Sequence, residues 1–218
     1  MTKPNEQFNP IRWFQVNHLK LIMIFLFLYL LFSILAPILM YAGYPKMSKL
    51  IYRGYSNLCH QYAYRSWFLF GKQAHYPLES KDGYLSVFEM FEIPKNTPEV
   101  SREIIGNPTA GYKVAICQRD IALYGALLLF SLIYQFFGKR IKKLPIGLWL
   151  LFAVFPIGMD GLWQLATSYQ LFNAQYESSP RMRTVTGVMF GFFSGWLLFP
   201  AIEQSLQTKE IRNDNPSQ

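Results

Sequence analysis

Charge is scarce in this chain. Lys, Arg, Asp and Glu make up 16% of its 218 residues, against about 25% in an ordinary soluble domain. Cysteine is scarcer still, with only Cys59 and Cys117, which excludes a small disulfide-dense scaffold. No Cys-x-x-Cys pair exists to relay electrons between thiols. Signatures for phosphate loops, dinucleotides, flavin and haem are also lacking, so no organic cofactor is expected. What is abundant is apolar: 51% hydrophobic and 17% aromatic residues, with 19 Phe, 14 Tyr and 5 Trp. That content excludes a disordered chain. A mean hydropathy of +0.12 is therefore an average over unlike parts.

The scarcity of charge is uneven along the chain. Residues 21–45, 121–138 and 184–202 carry none, and 144–169 carries only Asp160. Each run is close to the ~20 residues needed to cross ~30 Å of hydrocarbon as a helix. The first run exceeds the apolar length of a signal peptide and reads as a retained anchor. Pro37, Pro156 and Pro200 are tolerable inside spans, because neighbouring segments can satisfy the carbonyl each one frees.

Orientation follows from the basic residues of short loops. Lys139-Arg140-Ile141-Lys142-Lys143 puts four positive charges in five residues, and the N-terminal arm adds Lys3, Arg12 and Lys20 against Glu6. The expected order is therefore a cytoplasmic arm at 1–20, transmembrane helix 1 at 21–45 and an extracytoplasmic region at 46–120. Helix 2 (121–138), a basic cytoplasmic turn (139–143) and helix 3 (144–169) come next. An extracytoplasmic loop (170–183), helix 4 (184–202) and a cytoplasmic tail (203–218) complete the chain. The net charge of +8 needs no nucleic acid, since half of it comes from the one basic turn.

Within the 46–120 region, Met47, Leu50, Ile51, Tyr55, Leu58 and Tyr62 follow helical spacing, with Lys46, Lys49 and Arg53 elsewhere on the wheel. This predicts an amphipathic surface helix over 46–75, weakened by Gly54. An inserted loop over 76–112, rich in proline and acidic residues, follows it, with a short helix near 85–93 ended by Pro94. The fold class expected is an all-α integral membrane protein. It has four transmembrane helices, the surface helix, and an extracytoplasmic insertion between helices one and two.

The polar residues left inside the apolar spans carry the functional signal. Asp160, Gln164, Thr167 and Ser168 share one helical face, and a carboxylate in a span faces the bundle interior with a partner. Asp160 lies roughly 13 Å below the outer end of its span, within reach of an arginine. Ser179-Pro180 marks a helix start, after which Arg183 shares a face with Gly187, Gly191 and Gly195. Glycines at that spacing permit close helix packing, so an ion pair between Asp160 and Arg183 or Arg119 is expected. Cys59 and Cys117 both fall in the outer region. They read either as a disulfide or, with His60 and Asp120, as a metal site for zinc, although the spacing matches none of the strong zinc patterns. His18 and His75 read as isolated interfacial side chains.

Taken in order, Cys59-His60-Gln61, Arg65-Ser66-Trp67, Gly71, Cys117-Gln118-Arg119-Asp120, Tyr124, Pro156, Asp160-Gly161, Gln164, Arg183 and Thr186-Gly187 form a recurrent pattern. It resembles a family of predicted prokaryotic membrane proteins, the domain of unknown function 2085. The resemblance covers about 55–200 apart from the 76–112 insertion. It implies no biochemical activity. It does imply that Cys59, His60, Gln61, Arg65, Cys117, Arg119, Asp120, Asp160, Gln164 and Arg183 are the positions that matter. The resemblance further implies a second cysteine in many relatives where Asp120 stands here, an exchange that suits a metal ligand better than a disulfide partner.

Three function classes stay open at this point. One is an outward-facing polar site in which Arg65, Arg119 and Arg183 bind phosphate or carboxylate. His60 or Asp160 would then be an acid or base, and Gln61, Tyr124 and Gln164 would support them. A second is a structural or accessory membrane protein whose polar network fixes packing. A third is a small transporter, which without an internal repeat requires a homo-oligomer.

Overall fold

A computed structural model describes residues 10–81, 83–94, 98–168 and 176–214. Four of its helices are long and apolar enough to cross a membrane: Arg12–Tyr41, Gln118–Phe136, Ile146–Thr167 and Pro180–Leu206. The first belongs to α1 (Pro10–Tyr41). It starts well before Leu21 because Arg12 and Lys20 do not interrupt a helix whose backbone bonds are internal; their long side chains carry the charge outward. It stops before Pro45 because Gly43 turns left-handed (φ 83°), and the Tyr44 N–H closes back on the Leu39 carbonyl at 2.8 Å.

Pro45 then opens α2 (Pro45–Tyr55) at a position suited to proline. The helix expected to run on to 75 ends at Tyr55. Beyond Gly54 the chain is captured by tertiary bonds: Gln61 adopts a left-handed φ of 55°, and its amide donates to the carbonyls of Tyr52 (3.0 Å) and Ala115 (2.8 Å). Next come β1 (Phe68–Leu69), α3 (Val87–Phe91), β2 (Gly106–Asn107) and β3 (Gly111–Lys113). The α3 start carries a full capping box between Ser86 and Glu89.

The three strands form a small antiparallel sheet in the order β1-β3-β2, with Phe68 opposite Lys113 and Gly106 opposite Tyr112. The all-α expectation is corrected here: the chain is mostly helical with this sheet added. Strands of two or three residues are too short to show alternation. Their tightness rests on glycine, since a Cβ on Gly106 (φ 130°) would lie 2.0 Å from the Gly111 carbonyl oxygen. Phe68, Tyr76, Val87, Phe88 and Ala110 fill the subdomain core.

The subdomain is fastened to α1 through a carbonyl that proline frees, and α2 through a neighbouring one. Pro37 leaves the Ser33 carbonyl without its helical donor, and the Ala115 N–H takes it at 3.1 Å. One turn on, the Ser48 hydroxyl donates to the Ala36 carbonyl at 2.7 Å. Between α1 and α2 an open apolar groove of about 410 Å³ is walled by Phe25, Tyr29, Phe32, Ile51 and Tyr55.

The remaining spans follow as α4 (Gln118–Phe136), α5 (Ile146–Trp149) leading through a π-helical turn at Leu150–Val154 into α6 (Phe155–Ser168), and α7 (Pro180–Asp214). The π turn precedes Pro156, and the Phe155 N–H bonds the Leu150 carbonyl five residues back. Pro200 similarly frees the Trp196 carbonyl, which accepts from the Leu144 N–H just after the basic turn at 3.5 Å. α7 packs against α4 along its glycines. A Cβ on Gly187 would sit 2.6 Å from the Arg119 oxygen, and one on Gly191 only 2.0 Å from the Leu123 oxygen; at Gly195 it would meet the Phe130 ring at 3.1 Å. At the end away from the subdomain, Leu19, Phe130, Tyr134 and Phe199 close the core.

Candidate functional site

The end of the bundle where α1 finishes and α4 and α7 begin gathers most of the polar residues singled out in the sequence. Asp160 of α6 is buried and pairs with Arg119 of α4. It also accepts from the Tyr176 hydroxyl at 2.9 Å and the Ser178 hydroxyl at 2.8 Å. Of the two arginines that the sequence offers to Asp160, Arg119 reaches it. Arg183 turns instead to Glu177, to the Gln118 amide oxygen at 3.2 Å and to the Tyr64 carbonyl at 3.4 Å.

Glu177 is the hub. Arg65, the last residue of the 3-10 turn Ala63–Arg65, grips it with two parallel bonds of 2.8 and 2.9 Å. The Gln164 amide adds a third donor at 2.5 Å. Burial opposes the Arg65 charge, but the bonded carboxylate outweighs it and holds this guanidinium above its ordinary value. Arg65 also lies over the Tyr62 and Tyr64 rings, 5.4 and 5.1 Å from their centroids. Burial pushes the Tyr64 hydroxyl up to about 12 and lowers the His75 imidazole, an effect to which the Arg183 charge adds.

Three guanidiniums thus meet two carboxylates, Asp160 and Glu177. The Arg119 side chain is 21% exposed and Arg65 31%, while the Arg119 Nε is buried without a hydrogen-bond partner among the described residues. The cluster carries one excess positive charge, and Arg65, Arg119 and Glu177 are each partly exposed.

A second cluster lies on another face of α4. Cys117 is the N-cap of α4, and its Sγ accepts from the Asp120 N–H at 3.4 Å. Cys59 reaches the same place from the turn after α2, where its N–H donates to the Tyr55 carbonyl at 2.9 Å. The ligand atoms of Cys59, Cys117 and Asp120 all lie within 4.8 Å of one another. Both cysteines are free. A hydrogen bond from Cys117 lowers the Cys59 thiol despite burial, and the same bond together with burial raises Cys117. Tyr124, one turn beyond Asp120, stacks edge-on against Tyr29 at 4.8 Å and borders the pair.

His60 does not join this cluster. It is exposed and stacks on Tyr62 at 5.8 Å, because the left-handed Gln61 that follows turns the chain outward after Cys59. Gln61 is instead a scaffold residue: its carbonyl accepts from the buried Lys113 ammonium at 2.6 Å. Lys113 bonds the Arg102 carbonyl as well, at 2.7 Å, and burial pushes it down to about 7. His18, which reads as isolated in sequence, is buried with its Nε2 3.5 Å from Glu203, itself paired to Lys139 at 2.9 Å.

Glu177, Lys113, Tyr176 and Ser178 are absent from the sequence reading. Glu177 had one available signal, an acidic residue directly before a Ser-Ser-Pro helix start that also precedes Arg183. Lys113 had none, since a lysine in a loop-like segment reads as solvated.

The fold defines a class first: a mostly helical, multi-pass membrane protein. Residues 108–197 match the family described as Predicted membrane protein (DUF2085). The resemblance drawn from the site residues thus holds over a stretch containing Cys117, Arg119, Asp120, Asp160, Gln164 and Arg183. The chain is also similar to the uncharacterized protein MJ1492 of Methanocaldococcus jannaschii, at 26% identity over 196 residues, or 87% of this chain and 96% of that protein. No solved structure matches.

Proposed function

We propose that this is a plasma-membrane protein with both termini in the cytoplasm, and that its outward end carries a binding site for a phosphate- or carboxylate-bearing ligand. The observation that carries the reading is the Arg65–Glu177–Arg183 bridge: two guanidiniums already hold a carboxylate between them, and Arg119 adds a partly exposed third. Guanidinium presents paired donors that suit phosphate oxygens as well as carboxylate. α2 lies at the outer interface with Met47 and Leu50 toward lipid and Lys46, Lys49 and Arg53 toward headgroups. The region 42–117, including the 76–112 insertion, is extracytoplasmic. An anionic phospholipid headgroup delivered from the bilayer is the natural occupant.

The test uses purified protein in nanodiscs of zwitterionic lipid, with either anionic phospholipid or soluble glycerol phosphate added, and thermal stability as the readout. Stabilisation by the anionic lipid alone identifies a headgroup; stabilisation by both identifies the phosphate. Glu177→Gln, which frees two guanidiniums, strengthens the effect, and Arg65→Ala abolishes it. A chain indifferent to both anions, with Glu177→Gln merely less stable, refutes the proposal and leaves a structural network. That second reading has its own observation: Glu177 already satisfies Arg65, Arg183 and Gln164 together.

A further inference from the structure

The paired thiols at the start of α4 are not used by the anion site. We propose that Cys59, Cys117 and Asp120 bind one thiophilic divalent cation of the zinc class, leaving a fourth coordination position for an exogenous ligand. The donor set is two sulfurs and one carboxylate oxygen, mutually within 4.8 Å. In a tetrahedron with Zn–S bonds of about 2.3 Å the donor-to-donor edges are roughly 3.8 Å, so only a small contraction closes the set around an ion. Sulfur donors favour zinc-class ions over calcium or magnesium. Three protein ligands with one position open is the arrangement of reactive zinc centres; structural sites are closed by four.

Two further observations point to a cation here. The Asp120 carboxylate pairs with no lysine, arginine or histidine among the described residues, although Arg119 is its neighbour and turns to Asp160. A partly buried carboxylate beside two thiols therefore lacks a counter-charge. Two thiolates, one carboxylate and a dication leave a net charge of about −1. The buried Lys113 ammonium, whose acceptors are the carbonyls of Gln61 and Arg102, stands near enough for its charge to act on Cys59. The backbone fixes the donors independently of one another: an N-cap, the first turn of a long helix and a hydrogen-bonded turn after α2. His60, exposed and stacked on Tyr62, is no ligand.

The experiment is a Co(II) titration of the full chain, purified anaerobically in detergent, stripped with chelator and shown by thiol count to hold two free cysteines. The proposal expects one Co(II) per chain, with thiolate-to-cobalt charge-transfer absorption that Zn(II) displaces. Cys59→Ser and Cys117→Ser remove that absorption. Asp120→Asn, near-isosteric and able to keep the helix start intact, weakens binding by at least the roughly tenfold seen when even an outer-shell partner is lost. His60→Ala and Arg65→Ala leave it unchanged, so failure of the anion reading and failure of this one are separable. Reduced wild-type protein that takes up no cobalt overturns the proposal. Asp120→Asn binding as tightly as wild type, or a Cys59–Cys117 disulfide in the anaerobic preparation, does the same.

Discussion

Burial pushes the Lys113 ammonium from 10.5 down to about 7, with the Arg102 charge adding to the shift and Cys59 opposing it. Between those values the unfolded chain binds a proton that the folded chain has given up, so stability rises with pH across that window. Below it both states are protonated and the full penalty of a buried ammonium applies; above it both are neutral. Lys113→Met is therefore expected to flatten the rise, read as the shift in denaturation midpoint between about pH 7 and pH 10 in detergent. Asp160 makes the opposite case, a buried carboxylate fully committed to Arg119, Tyr176 and Ser178. Asp160→Ala strands those donors and should destabilise by about 3–5 kcal/mol in chemical denaturation. Asp160 was legible in sequence because a lone charge in an apolar run stands out. Glu177 was not, because a carboxylate in a loop is ordinary until its arginines are known. Lys113 was hidden for the same reason.

At the scale of elements, glycines separate into those that carry a contact and those that do not. Gly191 lies where any Cβ would meet the Leu123 carbonyl oxygen at 2.0 Å. Gly191→Ala should force α4 and α7 apart and lower stability by about 1–3 kcal/mol, seen as an earlier thermal transition. Gly54, inside α2, has nothing within 4 Å of a built Cβ, so Gly54→Ala should add about 0.5–1 kcal/mol through helix propensity alone. The glycine stripe and the four spans were readable because each repeats over many residues. The stop of α2 at Tyr55 and the two-residue strands were not, since both depend on partners far along the chain, such as Gln61 reaching Ala115. Two of the prolines inside spans, Pro37 and Pro200, illustrate the middle ground. The sequence allows a freed carbonyl to be satisfied, and the structure supplies the donors, Ala115 for Ser33 and Leu144 for Trp196.

For the whole molecule, the proposed sidedness depends on the four charges of 139–143. Replacing Lys139, Arg140, Lys142 and Lys143 together by Gln should scramble the accessibility of single cysteines introduced at Lys49 and at the exposed Val16 of the N-terminal arm, assayed with a membrane-impermeant thiol reagent on a background free of Cys59 and Cys117. Unchanged labelling would show that other features set the orientation. The network at the subdomain end also has a history written into its sequence separations. Arg65 is 112 positions from Glu177, and Arg183 is 119 from Tyr64. Because a chain is made from its N-terminus, the subdomain is synthesised long before the hub that latches it. A nascent chain halted before Tyr176 therefore holds Arg65 without its carboxylate and Asp160 without its two hydroxyl donors. The last helix to emerge is the clasp, and protease resistance of the 42–117 region should appear only once α7 has been made.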